Sequence, residues 1–177
     1  AAHKTMKGGP RRPVLPAKQW AHLVDACADH LCRKRAYGSD MLSNMRQDAE
    51  NAEPCIVVRL IAKHGCGEHS FQVRIEHVTH SAQEIVKCDG TSDGLGFFRL
   101  QPEELDAACN DEAWQELAYF YKQARGQTMC CDPLQLLLLS KGSDNDQFWQ
   151  LLRAIPVIAK DGELYIMHIF QVLKIPV

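Results

Sequence analysis

Asp161-Gly162 lies between two apolar runs, Ile155–Lys160 and Glu163–Leu173, and no other feature limits the fold so tightly. A two-residue Asp-Gly loop adopts a turn whose twist matches that of its flanking strands, so the two runs are predicted to pair as an antiparallel hairpin. The second run is apolar at successive rather than alternate positions. A strand of that kind is expected at the centre of a sheet, or covered on both sides.

Period-two patterning recurs upstream. Cys55–Lys63 reads CIVVRLIAK and Ser70–Val78 reads SFQVRIEHV. In the second, Phe71, Val73 and Ile75 alternate with Gln72, Arg74 and Glu76, which predicts a strand with one wet face. The connection from His64 to His69 contains Gly65 and Gly67 and suits a hairpin loop. Further strands are predicted over Gln83–Cys88 and Phe97–Leu100, with a turn-rich stretch between them.

Helical spacing appears elsewhere. Trp20, Leu23, Val24, Cys27 and Leu31 recur three and four residues apart and predict a helix over Lys18–Arg35, with Arg33-Lys34-Arg35 at its negative end. Ser39 is placed to cap a second helix reaching about Ala49. Pro102 opens a long helix whose inward face holds Leu105, Cys109, Ala113, Leu117, Phe120 and Ala124, and Gly126 stops it. Asp132-Pro133 is read as opening a helix over Leu134–Ser140. Ser143–Asp146 resembles a cap for another, carrying Phe148, Leu151 and Leu152 and ended by Pro156. Strands cluster and helices cluster instead of alternating. The expected class is α+β: a largely antiparallel sheet of roughly 4–6 strands with helices packed on one face.

The charge is divided unevenly. Residues 1–19 carry Lys4, Lys7, Arg11, Arg12 and Lys18 and no acid, so against a net charge of −2 the remaining residues hold −7. Gly8, Gly9, Pro10, Pro13 and Pro16 break regular structure in the same stretch. The chain therefore divides into a basic leader, 1–19, and a single α+β domain, 20–177. Such a leader stays in place only where another surface neutralises it. Hydrophobic content of 46% and charged content of 24% exclude a disordered or fibrous chain. The longest nearly unbroken apolar stretch, Leu164–Val172, falls short of the roughly 20 residues of a membrane helix, so no membrane span is expected.

The eight cysteines are Cys27, Cys32, Cys55, Cys66, Cys88, Cys109, Cys130 and Cys131. A chain this long can bury a core without staples, Ala1–Thr5 has no apolar signal segment, and most of the cysteines fall where a small apolar residue would sit. A reducing compartment is expected, the cytoplasm or the mitochondrial matrix.

Four chemistries compete for these residues. A zinc-stabilised module would draw on His64, Cys66 and His69, on His77, His80 and Cys88, or on Cys27, His30 and Cys32. Structural zinc uses a tetrahedral set from paired knuckles. No C-x-x-C exists, so no metal or cofactor is expected. A cysteine-dependent hydrolase or transferase would use Cys131 or Cys130, activated by the helix read as beginning beside Asp132, with His168 as base, Asp161 nearby in sequence and Gln127 as an oxyanion donor. The loop from Asp89 to Gly94 starts like a calcium loop, but its twelfth position is Leu100 where a bidentate Glu is required, which excludes calcium. Nucleic-acid binding would use the leader, Arg33-Lys34-Arg35 and the mixed run Tyr119-Phe120-Tyr121-Lys122 with Arg125.

The reading that accounts for the charge division and for the lack of a convergent catalytic set is a non-enzymatic subunit of a larger intracellular assembly. Its partners would be other protein subunits or nucleic acid. Lys4, Lys7, Arg11 and Arg12 would dock on an acidic protein surface or on phosphates.

Overall fold

The computed structural model describes residues 12–33, 54–63, 71–86, 98, 112–127, 131–141 and 147–174. Five strands form one sheet: β1 (Cys55–Ala62), β2 (Phe71–Val78), β3 (Leu134–Lys141), β4 (Gln147–Ile158) and β5 (Leu164–Leu173). Their order is β2-β1-β5-β4-β3, with every neighbouring pair antiparallel. The helices are α1 (Ala17–Arg33), α2 (His80–Val86) and α3 (Glu112–Gln127).

The α+β class and the antiparallel sheet agree with the patterning. The central strand is β5, and Ile166 through Phe170 are all buried, as its two-sided apolarity requires. The β4–β5 loop is one residue longer than expected. Ala159 N–H donates to the Glu163 carbonyl at 3.0 Å, which leaves Lys160, Asp161 and Gly162 as the connection. Gly162 has a φ of 83°, the left-handed conformation that a three-residue hairpin loop demands at its last position.

The helices do not share one face. Leu23 and Cys27 of α1 cluster with Cys55, Val57, Ile155, Val157, Met167 and Ile169. Leu117, Phe120 and Tyr121 of α3 cluster with Ile56, Val58, Leu152, Ile166 and Phe170. Adjacent strand residues thus point to opposite helices. A sheet whose inner strands are apolar on both faces exposes one of them unless each face has its own cover.

Three elements differ in type from the expectation. Residues 83–88 were expected to form a strand, but α2 runs from His80 to Val86. Thr79 is its cap: Oγ1 accepts from Ala82 N–H at 3.4 Å and from Cys55 N–H at 2.8 Å. Leu134–Ser140 was expected to be helical and lies in β3. A continuous apolar run of this length has no period of its own, and pairing with β4 decides it. The expected helix carrying Phe148, Leu151 and Leu152 is instead the first half of β4. Pro156 does not end the element, because β3 reaches only as far as Ala154 and leaves Pro156 with a strand neighbour on one side, opposite Ile166. The expected helix at 39–49 and loop at 64–69 lie outside the described residues, as does the expected strand at 97–100 apart from Phe98, which is buried.

Candidate functional site

The leader reaches the body at β2. The register of β1 against β2 shifts between Val57 and Val58, so Glu76 is an extra residue on β2. Before the shift Phe71, Val73 and Ile75 face α3. After it His77 stands opposite Val57 and faces α1. There the His77 ring stacks on Trp20 with centroids 4.1 Å apart and planes at 17°. Leu15 N–H donates to His77 Nδ1 at 3.0 Å, and Val78 N–H donates to the Pro13 carbonyl at 2.9 Å. Because Nδ1 accepts, the proton of the neutral ring sits on Nε2. Trp20 N–H donates to the Pro16 carbonyl at 2.9 Å, the first helical bond of α1. Residues 13–20 therefore clamp the leader to one corner of the sheet through backbone and ring contacts.

Arg12, half-buried, is the first described residue before that clamp. Lys4, Lys7 and Arg11 lie outside the described residues. Helix α1 begins at Ala17, so Lys18 belongs to the helix rather than to an extended tail.

An open cleft of about 190 Å³ lies beside the clamp, between Leu15, Gln19 and His22 on one side and Lys160, Asp161 and Tyr165 on the other. Burial and the Asp161, Glu76 and Glu163 carboxylates raise the Tyr165 hydroxyl above its ordinary value, so it remains a neutral donor. On the same face Glu76 holds Arg59 at 3.0 Å and Arg74 at 2.7 Å.

His168 and Cys131 take up different roles from those of a catalytic pair. His168 is fully buried on β5. Its Nδ1 lies 2.9 Å from the Ile56 carbonyl, which only accepts, so Nδ1 carries the proton. Nε2 then accepts from the Tyr121 hydroxyl at 2.6 Å. The Phe98 ring meets the imidazole edge-on with centroids 5.0 Å apart. Burial lowers the His168 pKa to about 4, against the opposing Ile56 bond, so the ring is neutral at physiological pH with both nitrogens committed. Tyr121, fully enclosed, is pushed well above its ordinary range by the same desolvation. No lone pair on His168 is left for a thiol.

Cys131 is buried and its thiol donates to the Asp132 carbonyl at 3.7 Å. It precedes β3 instead of a helix, which removes the helix dipole expected to favour its thiolate. Cys130 and Gln127 side chains lie outside what is described. Burial pushes the Cys27 thiol up to about 12, which makes it a core group and not a nucleophile. Cys27, Cys55 and Cys131 take part in no disulfide.

Among the described residues no three His, Cys, Asp or Glu side chains converge as a metal-binding group. His64, Cys66, His69 and Cys88 lie outside them. Of the aromatic and cationic run on α3, Phe120 and Tyr121 are buried and Tyr119 is exposed. Tyr121 was missed as a core residue, although it completes the stripe Leu117, Phe120, Tyr121 and Ala124 at helical spacing. Among the described residues no helix is long and apolar enough to cross a membrane.

One further surface stands out. Leu137 and Leu139 on β3 are 50% and 44% exposed. They share the α1 face of the sheet with half-buried Trp149, Leu151 and Leu173, to which the register aligns them. No protein-family model matches the chain, and no curated protein sequence does.

Proposed function

We propose that the chain is a non-enzymatic interaction subunit of a larger intracellular assembly in a reducing compartment, the cytoplasm or the mitochondrial matrix. The basic leader docks on an acidic protein surface or on nucleic-acid phosphates. One observation carries this reading: the leader is anchored immediately after its cluster of cations. Pro13, Leu15 and Trp20 are tied to Val78 and His77, and Lys4, Lys7, Arg11 and Arg12 precede that anchor in sequence. Tethering cations near a rigid body reduces the freedom lost when they bind. The chemistry-bearing groups of the interior support the same reading, since His168 and Cys27 are held neutral by the core.

The test is deletion of residues 1–11 with Arg12–Pro16 retained, so that the clamp survives. Partners that co-purify with the full chain at physiological salt are expected to be lost from the truncated one. Nuclease treatment of the full-chain sample separates the two kinds of anion: partners that leave with digestion were bridged by phosphates, and partners that remain are acidic proteins. Unchanged association after deletion overturns the proposal.

A further inference from the structure

Arg59 on β1 and Arg74 on β2 stand directly opposite each other, and Tyr165 on β5 stands opposite Arg59 on its other side. Like charges in direct cross-strand register repel unless a counter-charge joins them. Glu76 supplies one, and every contact runs through its Oε1. Arg74 reaches that oxygen with Nε at 2.8 Å and Nη2 at 2.7 Å, and Arg59 Nε lies 3.0 Å from it. The Arg59 Nε is buried, yet its N–H is too poorly aligned to make a hydrogen bond with Glu76 or with any other described residue. Two guanidiniums on one carboxylate leave one positive charge unmatched. The Arg59 side chain is only 20% exposed, so its donors cannot turn freely to water.

We propose that Arg59 and Arg74 hold the carboxylate of a peptide partner, with the apolar side chain next to that carboxylate seated in the neighbouring cleft. A guanidinium presents paired N–H groups in a fork that fits carboxylate oxygens. Tyr165 links the two halves of the site, because it neighbours Arg59 in the register and also lines the cleft. Burial and then the Asp161, Glu76 and Glu163 carboxylates keep its hydroxyl protonated, with Arg74 opposing them. Leu15, Leu23 and Ala159 give the cleft its apolar wall, and Lys160 and Asp161 offset each other at its rim. Charge favours a carboxylate over a phosphate. One negative charge matches the one left over, whereas a dianion would bring a surplus toward Asp161 and Glu163. All of these residues follow the leader's cations in sequence, so the site stands whether or not Lys4, Lys7, Arg11 and Arg12 dock.

Nitrogen-15 spectra of the arginine Nε–H groups of the full chain test the proposal. Three blocked probes are titrated: acetyl-leucine, with a terminal carboxylate; acetyl-leucyl-glutamyl amide, with a side-chain carboxylate; and acetyl-leucyl-glutaminyl amide, with none. Inorganic phosphate is the fourth. The Arg59 and Arg74 resonances are expected to shift with at least one carboxylate probe and not with the glutaminyl one. Whichever carboxylate binds tighter assigns the source, a chain terminus or an acidic side chain. Arg74→Gln, at an exposed side chain, is expected to weaken binding about 3- to 10-fold with circular dichroism unchanged. Glu76→Gln removes the competing carboxylate and is expected to tighten binding about 3- to 10-fold, an effect that a merely structural ion pair does not produce. Arg74→Gln decides alone should Glu76→Gln not fold. Deleting residues 1–11 is expected to leave probe binding unchanged, which separates this site from the leader. No shift with either carboxylate, an equal shift with the glutaminyl probe, tighter binding of phosphate, or a folded Glu76→Gln chain that binds no better overturns the proposal.

Discussion

The Tyr121 hydroxyl on α3 lies 2.6 Å from His168 Nε2 on the central strand, and both residues are buried. This bond joins a helix to the middle of the sheet and satisfies the unprotonated nitrogen of an imidazole that has no access to water. The Ile56 carbonyl, 2.9 Å from Nδ1, completes the chain of bonds across β1 and β5. It is a polar array inside an apolar core, satisfied at both nitrogens.

Tyr121→Phe keeps the ring and removes the donor. A buried acceptor left unpaired costs about 1–3 kcal/mol. Urea unfolding of the variant is expected to show a loss of that size with an unchanged m-value. A variant as stable as the parent would mean that the bond contributes nothing net.

The same imidazole gives the fold a pH dependence. His168 titrates near 4 in the folded chain, against about 6.5 when unfolded. Between those values the unfolded chain binds the extra proton, so stability rises with pH across that window. It is complete above about 6.5 and falls as pH drops toward 4, a total of about 3 kcal/mol from this group. Chemical denaturation at a series of pH values measures it. His168→Gln is expected to flatten that part of the profile, and a profile with the same slope in the variant would assign the effect to other groups.

The clamp on the leader separates into two bonds that hydrogen exchange resolves residue by residue. His77→Phe retains a flat ring against Trp20 and removes the acceptor for Leu15 N–H. The Leu15 amide is expected to exchange faster, while the Val78 amide, bonded to the Pro13 carbonyl, keeps most of its protection. Equal loss at both positions would show that the His77 acceptor, not the stack, holds the whole segment.

Cys27 is enclosed between α1 and the sheet, with its thiol pushed up to about 12. Native protein treated with iodoacetamide at about pH 8 is expected to leave Cys27 unmodified until the chain is unfolded, because the thiolate is the reactive form. Peptide mass mapping reads this directly. Rapid native labelling at Cys27 would contradict the packing of α1.

The parts of the fold legible in sequence are those whose local pattern has one physical solution. Alternation of Phe71, Val73 and Ile75 with Gln72 and Arg74 matches a half-buried strand, and the recurrence of Trp20, Leu23, Val24 and Cys27 over two turns matches a helix face. Patterns with two solutions were misread. Leu134–Ser140 is apolar throughout and fits a helix or a strand equally well. Phe148, Leu151 and Leu152 sit at helical spacing, yet their segment completes a sheet. The candidate site was legible in composition and not in contact: the cations of the leader are plain, whereas the His77–Leu15 bond joins residues 62 positions apart. It depends on a bulge that turns His77 to the α1 face, and no local spacing announces that bulge.

Sequence alone determined the uneven charge, +5 over residues 1–19 against −7 over the rest, the α+β class, the β4–β5 hairpin and the central place of its second strand. These follow from charge, turn chemistry and side-chain period, which act over a few residues. Tertiary structure decided which apolar runs became strands, which helix covers which face, where residues 13–20 are held and why His168 is neutral. Those outcomes rest on pairing and desolvation between segments far apart in the chain, and a segment's own residues do not specify its neighbours.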